Sequence, residues 1–254
     1  MSKNNIFNDD VIRWMKNTDN KYDLIIADPP YNQGIDSWDK FDEKDYWLFM
    51  QDWIKESSKL LNKGGSIWIF NNPLNSAKTI PLLEKNNLTF QNWITWYKKD
   101  GFGAPKTKFR TMQETILFFT NGQKPSDFNF DIVRVPYKSK ERMEAAKTKG
   151  IVKNGKRWFP NENGALRSDV WEFSSHRHNT KINGKLIKQL HSTPKPEALI
   201  KTIIKTHFKK DMHVLDLFSG SGTTSVVCRN MNINSDGVEL NKDYYEVIKE
   251  KLNV

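Results

Sequence analysis

A single cysteine, Cys228, stands in this chain of 254 residues. One thiol can close no intramolecular disulfide and cannot build a multi-cysteine zinc site. The five histidines show no His-x-x-x-His spacing, so no metal site is expected. No apolar run reaches the roughly 18 residues of a spanning helix, and the opening residues Met1-Ser-Lys-Asn-Asn lack the apolar core of a signal peptide. Together these absences predict a cytoplasmic protein with no membrane partner. Internal repeats, coiled-coil heptads and low-complexity segments are missing too. The length suffices for one α/β domain with an inserted subdomain and a sizeable core.

A strand-like run, Tyr22-Asp-Leu-Ile-Ile-Ala27, leads straight into Asp28-Pro29-Pro30-Tyr31. The two prolines fix φ near −65° and keep the residues before them extended, so the Asp28 carboxylate and nearby carbonyls are aimed in advance. Tyr31 adds a π face, and stacking a base on an aromatic is worth about 1–3 kcal/mol. A carboxylate, rigid prolines and an aromatic suit a flat ring bearing an exocyclic amine. The plainer reading is an Asp-Pro turn after a strand.

Far along the chain, His213-Val-Leu-Asp216-Leu-Phe218-Ser-Gly220-Ser221-Gly222-Thr223-Thr224 reads as a short buried strand, a glycine turn and a helix start. The glycines permit positive φ and close approach of a ligand, and the helix N-terminus presents free N–H groups. Glu239 ends the next strand-like run seventeen residues after Gly222. An acid about 20 positions past such a turn is the expected partner of a ribose hydroxyl. The pattern departs from the dinucleotide fingerprint, because Ser225 stands at the third glycine position.

These two elements together resemble the S-adenosylmethionine-dependent DNA amino-methyltransferases. The catalytic motif precedes the cofactor motif, which looks like the β-class permutation of that family. Asp-Pro-Pro-Tyr is similar to the adenine-N6 form, where cytosine-N4 enzymes more often carry Ser in place of the Asp. The likeness is nearest to the small MboII-type modification enzymes, through Phe90-Gln-Asn-Trp-Ile-Thr-Trp96, Gln113-Glu-Thr-Ile-Leu-Phe-Phe119, Arg134-Val-Pro-Tyr137 and Lys153-Asn-Gly-Lys-Arg-Trp-Phe-Pro160.

The resemblance implies a Rossmann-like, circularly permuted α/β methyltransferase fold. Residues 1–123 and 189–254 would form the catalytic and cofactor-binding domain, with 124–188 as a target-recognition insertion. It implies transfer of a methyl group to N6 of adenine in double-stranded DNA, on a base flipped out of the helix. Asp28, Pro29, Pro30 and Tyr31 would be catalytic. S-adenosylmethionine would be held by Asp28, Asp216, Phe218, Gly220, Ser221, Gly222, Thr223, Glu239 and Leu240. Asp9 and Asp10 match the segment that binds the cofactor's adenine, although Asn8 and Asp10 replace the usual flanking Gly and Cys; a helix N-cap is the other reading. His191, Thr193 and Lys195 match the segment near the methionine carboxylate, which otherwise reads as a turn. Asp216 either contacts the cofactor or holds the glycine turn. Family relatives admit a homodimer and a cognate restriction endonuclease as further partners. A cytosine-C5 enzyme would need a Pro-Cys nucleophile, but Cys228 follows Val227 on an apolar helix face and is expected to pack. A cytosine-N4 or RNA amino-methyltransferase, and an inactive DNA-binding partner, remain the alternatives.

The net charge of +10 is placed unevenly. Lys124 to Lys188 holds 15 Lys or Arg against 7 Asp or Glu, interleaved with Tyr137, Trp158, Phe159 and Trp171. Such a mixture suits phosphate neutralisation with base contacts, or else a solvated lysine-rich surface. Arg110, Arg134, Arg142, Arg157, Arg167 and Arg177 are the candidate DNA ligands, each able to take a guanine edge or a phosphate. Apolar spacing predicts helices over Asp39–Leu61, Asn75–Lys85 (interrupted at Pro81) and Lys195–Phe208. Strands are predicted at 66–70, 90–97 and 115–120. Their alternation predicts parallel βαβ units, with the two special loops as neighbours at the carboxyl edge of the sheet.

Overall fold

The computed structural model describes residues 2–99, 105–174, 180–182, 185–187 and 194–253, without the side chains of Arg142 and of the two short segments 180–182 and 185–187. The first half contains β1 (Asn4–Asn8), α1 (Val11–Lys16), β2 (Tyr22–Ala27), α2 (Glu43–Leu60), β3 (Leu61–Asn71), α3 (Pro73–Lys85), β4 (Thr89–Tyr97) and β5 (Gln113–Thr120). Then come α4 (Lys140–Lys149), β6 (Ile151–Lys153), β7 (Lys156–Trp158), β8 (Val170–Glu172), β9 (Thr180–Ile182) and β10 (Lys185–Ile187). The chain closes with α5 (Glu197–Thr206), β11 (His213–Asp216), α6 (Thr223–Asn230), β12 (Asn234–Glu239) and α7 (Lys242–Leu252).

One eight-stranded sheet runs β1-β12-β11-β2-β3-β5-β4-β8. Strands β1, β12, β11, β2 and β3 are mutually parallel, and β5 runs against both β3 and β4. The expected parallel βαβ units are present at β2-α2-β3 and β11-α6-β12, and β5 departs from them by entering between β3 and β4 after a hairpin-like return. From β2 the chain crosses through α2 to β3, and from β11 through α6 to β12, on opposite sides. The strand order reverses between β11 and β2, where Val214, Leu215 and Asp216 lie opposite Leu24, Ile25 and Ile26. Ligands of open α/β sheets bind at the carboxyl edge of such a switch point.

Side-chain alternation along the strands feeds two apolar layers. Tyr22, Ile25, Ile67, Ile69, Leu117 and Phe119 pack under α1, α2 and α3 on one face. Leu24, Ile26, Trp68, Phe70, Ile116 and Phe118 pack under α5 and α6 on the other. From Leu24 to Ala27 strand β2 is buried on both faces, which explains the apolar run Leu24-Ile25-Ile26-Ala27. Cys228 is fully buried in the second layer, and burial pushes its thiol up to about 12.

Helix boundaries follow from caps rather than from apolar spacing alone. Asp42 caps α2 by accepting from the Lys44 N–H, so the helix starts after Asp39, which sits in a 3₁₀ turn. Asn72 caps α3 with Pro73 in its first turn, and the helix continues through Pro81 to Lys85. Pro81 removes one N–H from the ladder near the end of the helix without stopping it. Strand β8 joins the main sheet beside β4, so the basic stretch returns a strand to the core.

At the end of α5, His207 Nε2 accepts from Trp68 Nε1 at 2.9 Å, so its proton sits on Nδ1 facing the Asp127 carbonyl, 2.9 Å away. Burial lowers its pKa to about 4. The unfolded imidazole protonates near 6.5 and the folded one does not, so stability is lost as pH falls through this window. The loss approaches roughly 3 kcal/mol by pH 4. Chemical denaturation of the wild type and of His207→Gln between pH 7 and 4.5 is expected to show this slope in the wild type and a reduced one in the variant.

Candidate active site

Every element that reaches the reactive edge does so for a topological reason. The carboxyl ends of β1, β12, β11, β2 and β4 bring Asp9, Glu239, Asp216, Asp28 and Lys98 to one rim. The reversed strand β5 brings Glu114 there from its amino end, paired in register with Trp96. Lys195 precedes α5, which runs back along the sheet. Between these groups lies a cavity of about 830 Å³, within the roughly 300–1,000 Å³ of small-molecule sites.

Its glycine-loop side is held by its own backbone. Glu239 accepts from the Gly220 N–H at 2.7 Å and from the Asn241 N–H at 2.8 Å, tying the two loops together. Burial pushes its carboxyl above the usual range. Gly222 has φ +77° and precedes α6, and an added Cβ would meet Ile248 Cγ1 at 2.8 Å. Only glycine satisfies both the left-handed backbone and this approach. Asp216 accepts from the Phe218 N–H at 3.2 Å, holding the turn, and burial pushes its carboxyl up to about 7, with Asp28 and Glu239 adding to the effect.

The Asp28 side is fixed from behind. Buried Asp39 accepts from four backbone N–H groups: Tyr31 and Asn32 at 2.6 and 2.7 Å on Oδ1, Gln33 and Ile35 at 2.9 and 3.2 Å on Oδ2. The Tyr46 hydroxyl donates to the Pro30 carbonyl at 3.1 Å, and the Asn75 amide donates to the Tyr31 carbonyl at 2.8 Å. This is more than an Asp-Pro turn requires. In front, the Tyr31 hydroxyl donates to Asp28 Oδ1 at 2.8 Å and lies 3.1 Å from Glu114 Oε2. Lys195 Nζ stands 2.5 Å from Asp28 Oδ2 and 3.6 Å from Glu114 Oε2, above the rings of Tyr31 and Phe70. Lys98 pairs with Glu114 Oε1.

Charge states follow from these neighbours. Burial opposes the charge on Glu114, yet Lys195 and Lys98 outweigh it and hold the carboxyl below the usual range. Burial likewise opposes the charge on Lys195, and Asp28 with Glu114 raise its pKa instead. Burial, Asp28 and Glu114 all push the Tyr31 hydroxyl well above its ordinary value, so it remains a donor.

Most residues singled out in the sequence line this one cavity. Asp28, Pro29, Pro30 and Tyr31 do so from β2, and Asp216, Phe218, Gly220, Ser221 and Thr223 from the glycine loop. Glu239, Leu240, Asp9, Asp10 and Lys195 complete it. Gly222 shapes the turn from outside the lining. Asp10 is the N-cap of α1, accepting from the Arg13 N–H, while Asp9 pairs with the Arg13 guanidinium. His191, Thr193 and Arg177 lie outside the described residues. Among the described residues, Arg110, Arg134, Arg157 and Arg167 do not line the cavity. Arg134 is engaged by Asp131 and the Gly164 carbonyl, and Arg167 by the Val133 carbonyl and the rings of Trp171 and Phe173. Arg110 and Arg157 are exposed; Arg142 belongs to α4. Sequence reasoning did not assign Glu114, Lys98, Asp39 or Asn75 to the site.

A glycine turn closed by an acid and a carboxylate–proline–aromatic loop, meeting at one switch point, are the parts of a two-substrate group transferase. The profile of a DNA methylase family (N6_N4_Mtase) matches residues 22–250, and the chain belongs to that family. It is 48% identical over 231 residues to the Type II methyltransferase M1.MboII of Moraxella bovis, an alignment covering 91% of this chain and 88% of the relative. Among solved structures, the M1.HpyAVI–SAM complex matches with TM-score 0.64 at 24% identity, over 98% of this chain and 99% of that one. The cytosine-N4-specific PvuII DNA methyltransferase matches with TM-score 0.72 at 14% identity, over 98% and 87% of the two chains. Among the described residues, no helix is long and apolar enough to cross a membrane.

Proposed function

We propose that this DNA methyltransferase transfers a methyl group from S-adenosylmethionine to N6 of an adenine turned out of duplex DNA. The observation that carries the reading is the adjacency of the two loops: the Leu217 N–H donates to the Ile26 carbonyl at 3.1 Å, so the glycine turn and Asp28 open into one cavity. The residues present fit the cofactor. Glu239 offers a carboxylate to ribose hydroxyls, the Gly220 backbone permits close approach, Asp9 and Asp10 border the start of α1, and Asp216 and Asp28 line the middle of the cavity. When bound, S-adenosylmethionine supplies an electrophilic sulfonium methyl.

The protein's own part is positioning and electrostatics. The N6 lone pair of adenine is delocalised into the ring and its N–H is too weak an acid for prior deprotonation, so Asp28 serves as hydrogen-bond acceptor. With the Pro29 carbonyl as second acceptor, the amine is held and its lone pair directed at the methyl. Positive charge grows on N6 as the methyl carbon's bond to sulfur breaks and its bond to nitrogen forms, and a carboxylate there stabilises the transition state more than the ground state. The methylated amine then gives up one proton to Asp28, which passes it to solvent. Tyr31 and Phe70 flank the pocket as apolar walls for the ring. The exposed loop Lys106, Lys108, Phe109 and Arg110 leads directly into Thr111 and Gln113 on the cavity rim, placing cations where duplex phosphates would pass.

The adenine assignment rests on Asp28 in the Asp-Pro-Pro-Tyr form. Mass spectrometry of nucleosides from duplex DNA treated with the protein and methyl-labelled S-adenosylmethionine is expected to yield N6-methyladenine. Labelled N4-methylcytosine would refute the base assignment, and label confined to RNA would refute the substrate.

A further inference from the structure

Asp28 is already engaged in the arrangement described above, with its negative charge turned toward a cation. Each of its oxygens already faces a donor: Oδ1 the Tyr31 hydroxyl at 2.8 Å, Oδ2 the Lys195 ammonium at 2.5 Å. Those same two donors both reach a single oxygen of Glu114, Oε2, at 3.1 and 3.6 Å. The other oxygen of Glu114 is occupied by Lys98, which fixes the orientation of the carboxylate. A tyrosine hydroxyl carries one proton, so it can serve Asp28 or Glu114 but not both at once.

We propose that Glu114 is a positioning residue that draws Tyr31 and Lys195 off Asp28 when the target amine enters. The inference rests on the methyltransferase reading of the site. A small rotation of the Tyr31 hydroxyl and about an ångström of ammonium travel along a flexible lysine stem would exchange partners without rebuilding the pocket. The exchange frees the lone pairs of Asp28 that Tyr31 and Lys195 hold, leaving more of the carboxylate to the amine. It also removes an ammonium from the carboxylate beside which positive charge must grow during transfer, a cation that would otherwise work against the reaction. The four charged groups, Asp28, Glu114, Lys98 and Lys195, balance to zero, so the exchange leaves the cluster's charge unchanged. Without the negative charge of Glu114, Lys195 has only Asp28 as a carboxylate partner in this cluster.

A double-mutant cycle tests this. Glu114→Gln is expected to lower the single-turnover rate by about 10²-fold, with dissociation constants for S-adenosylhomocysteine and for duplex DNA within about threefold of wild type. Adding Lys195→Met is expected to restore about tenfold of that rate, because the ammonium that locks Asp28 is gone. A structural role for Glu114 would instead give additive losses, or a fall in affinity as large as the fall in rate, and either result overturns the proposal. A wild-type protein that methylates no nucleic acid overturns the methyltransferase reading, and this proposal with it; an active wild type with additive variants overturns the proposal alone.

Discussion

Replacing Asp28 with alanine is expected to lower single-turnover methyl transfer by about 10²–10³-fold while S-adenosylmethionine affinity stays within about threefold of wild type. The asymmetry follows from the geometry. Glu239 is held by the Gly220 and Asn241 amides and Asp216 by the Phe218 amide, none of which touches Asp28 through a hydrogen bond. The glycine-loop half of the cavity therefore keeps its shape. Lys195 keeps Glu114 as a carboxylate partner, so the variant leaves no buried ammonium stranded. What disappears is the acceptor that orients the amine and the negative charge that faces growing positive charge on it. Asp28→Asn retains an acceptor oxygen but not the charge, and is expected to fall between wild type and alanine. Single-turnover transfer with labelled cofactor, beside calorimetric binding of the same cofactor, measures both quantities. A large loss of cofactor affinity with an unchanged rate would place Asp28 in binding instead.

Asp39→Ala is expected to produce the largest effect on stability at the site. Asp39 is 1% exposed and its carboxylate accepts from four N–H groups of the loop after Pro30. A buried donor left without a partner costs about 1–3 kcal/mol. Partial rehydration of the loop tempers the sum, and a net loss of about 3 kcal/mol, or roughly 6–12 °C in Tm for a domain of this size, is expected. Activity is expected to fall further than folding, because the same four bonds hold the loop that begins at Tyr31. Thermal melts of Asp39→Ala and Asp39→Asn, read beside transfer rates, separate the two effects. A variant with wild-type Tm and rate would show that the prolines alone hold the loop.

The two loops were legible in the sequence because local constraints specify them. Pro29 and Pro30 stiffen one, and Gly222 in the other meets both a left-handed backbone and the side chain of Ile248. Their adjacency was legible as well, since a parallel sheet with a permuted chain order brings distant strands together. Strand β1 escaped notice because Asn4–Asn8 has only two apolar residues and sits at the edge of the sheet beside β12. Glu114 escaped for a topological reason. It is the second residue of a strand that runs opposite to its neighbours, so it reaches the rim from the amino end, and no spacing in the sequence announces that reversal. Asp39 was taken into the predicted helix because its role lies backwards, toward the loop of Tyr31, and only the cap at Asp42 marks where the helix truly starts. The arginines show the limit in the other sense. Charge composition marks a basic region but cannot tell Arg134 and Arg167, spent on internal partners, from the exposed Arg110 and Arg157.

The central claim is that methyl donor and target amine meet in the one cavity between Asp28 and the glycine turn. A crystal structure of the protein with duplex DNA and an unreactive analogue bearing an amine in place of the sulfonium methyl tests it most directly. The account predicts an extrahelical adenine stacked against Tyr31, its N6 within hydrogen-bond reach of Asp28 and about 3–3.5 Å from the analogue's amine. A base still stacked in the duplex, or an analogue seated away from Gly220 and Glu239, would contradict it.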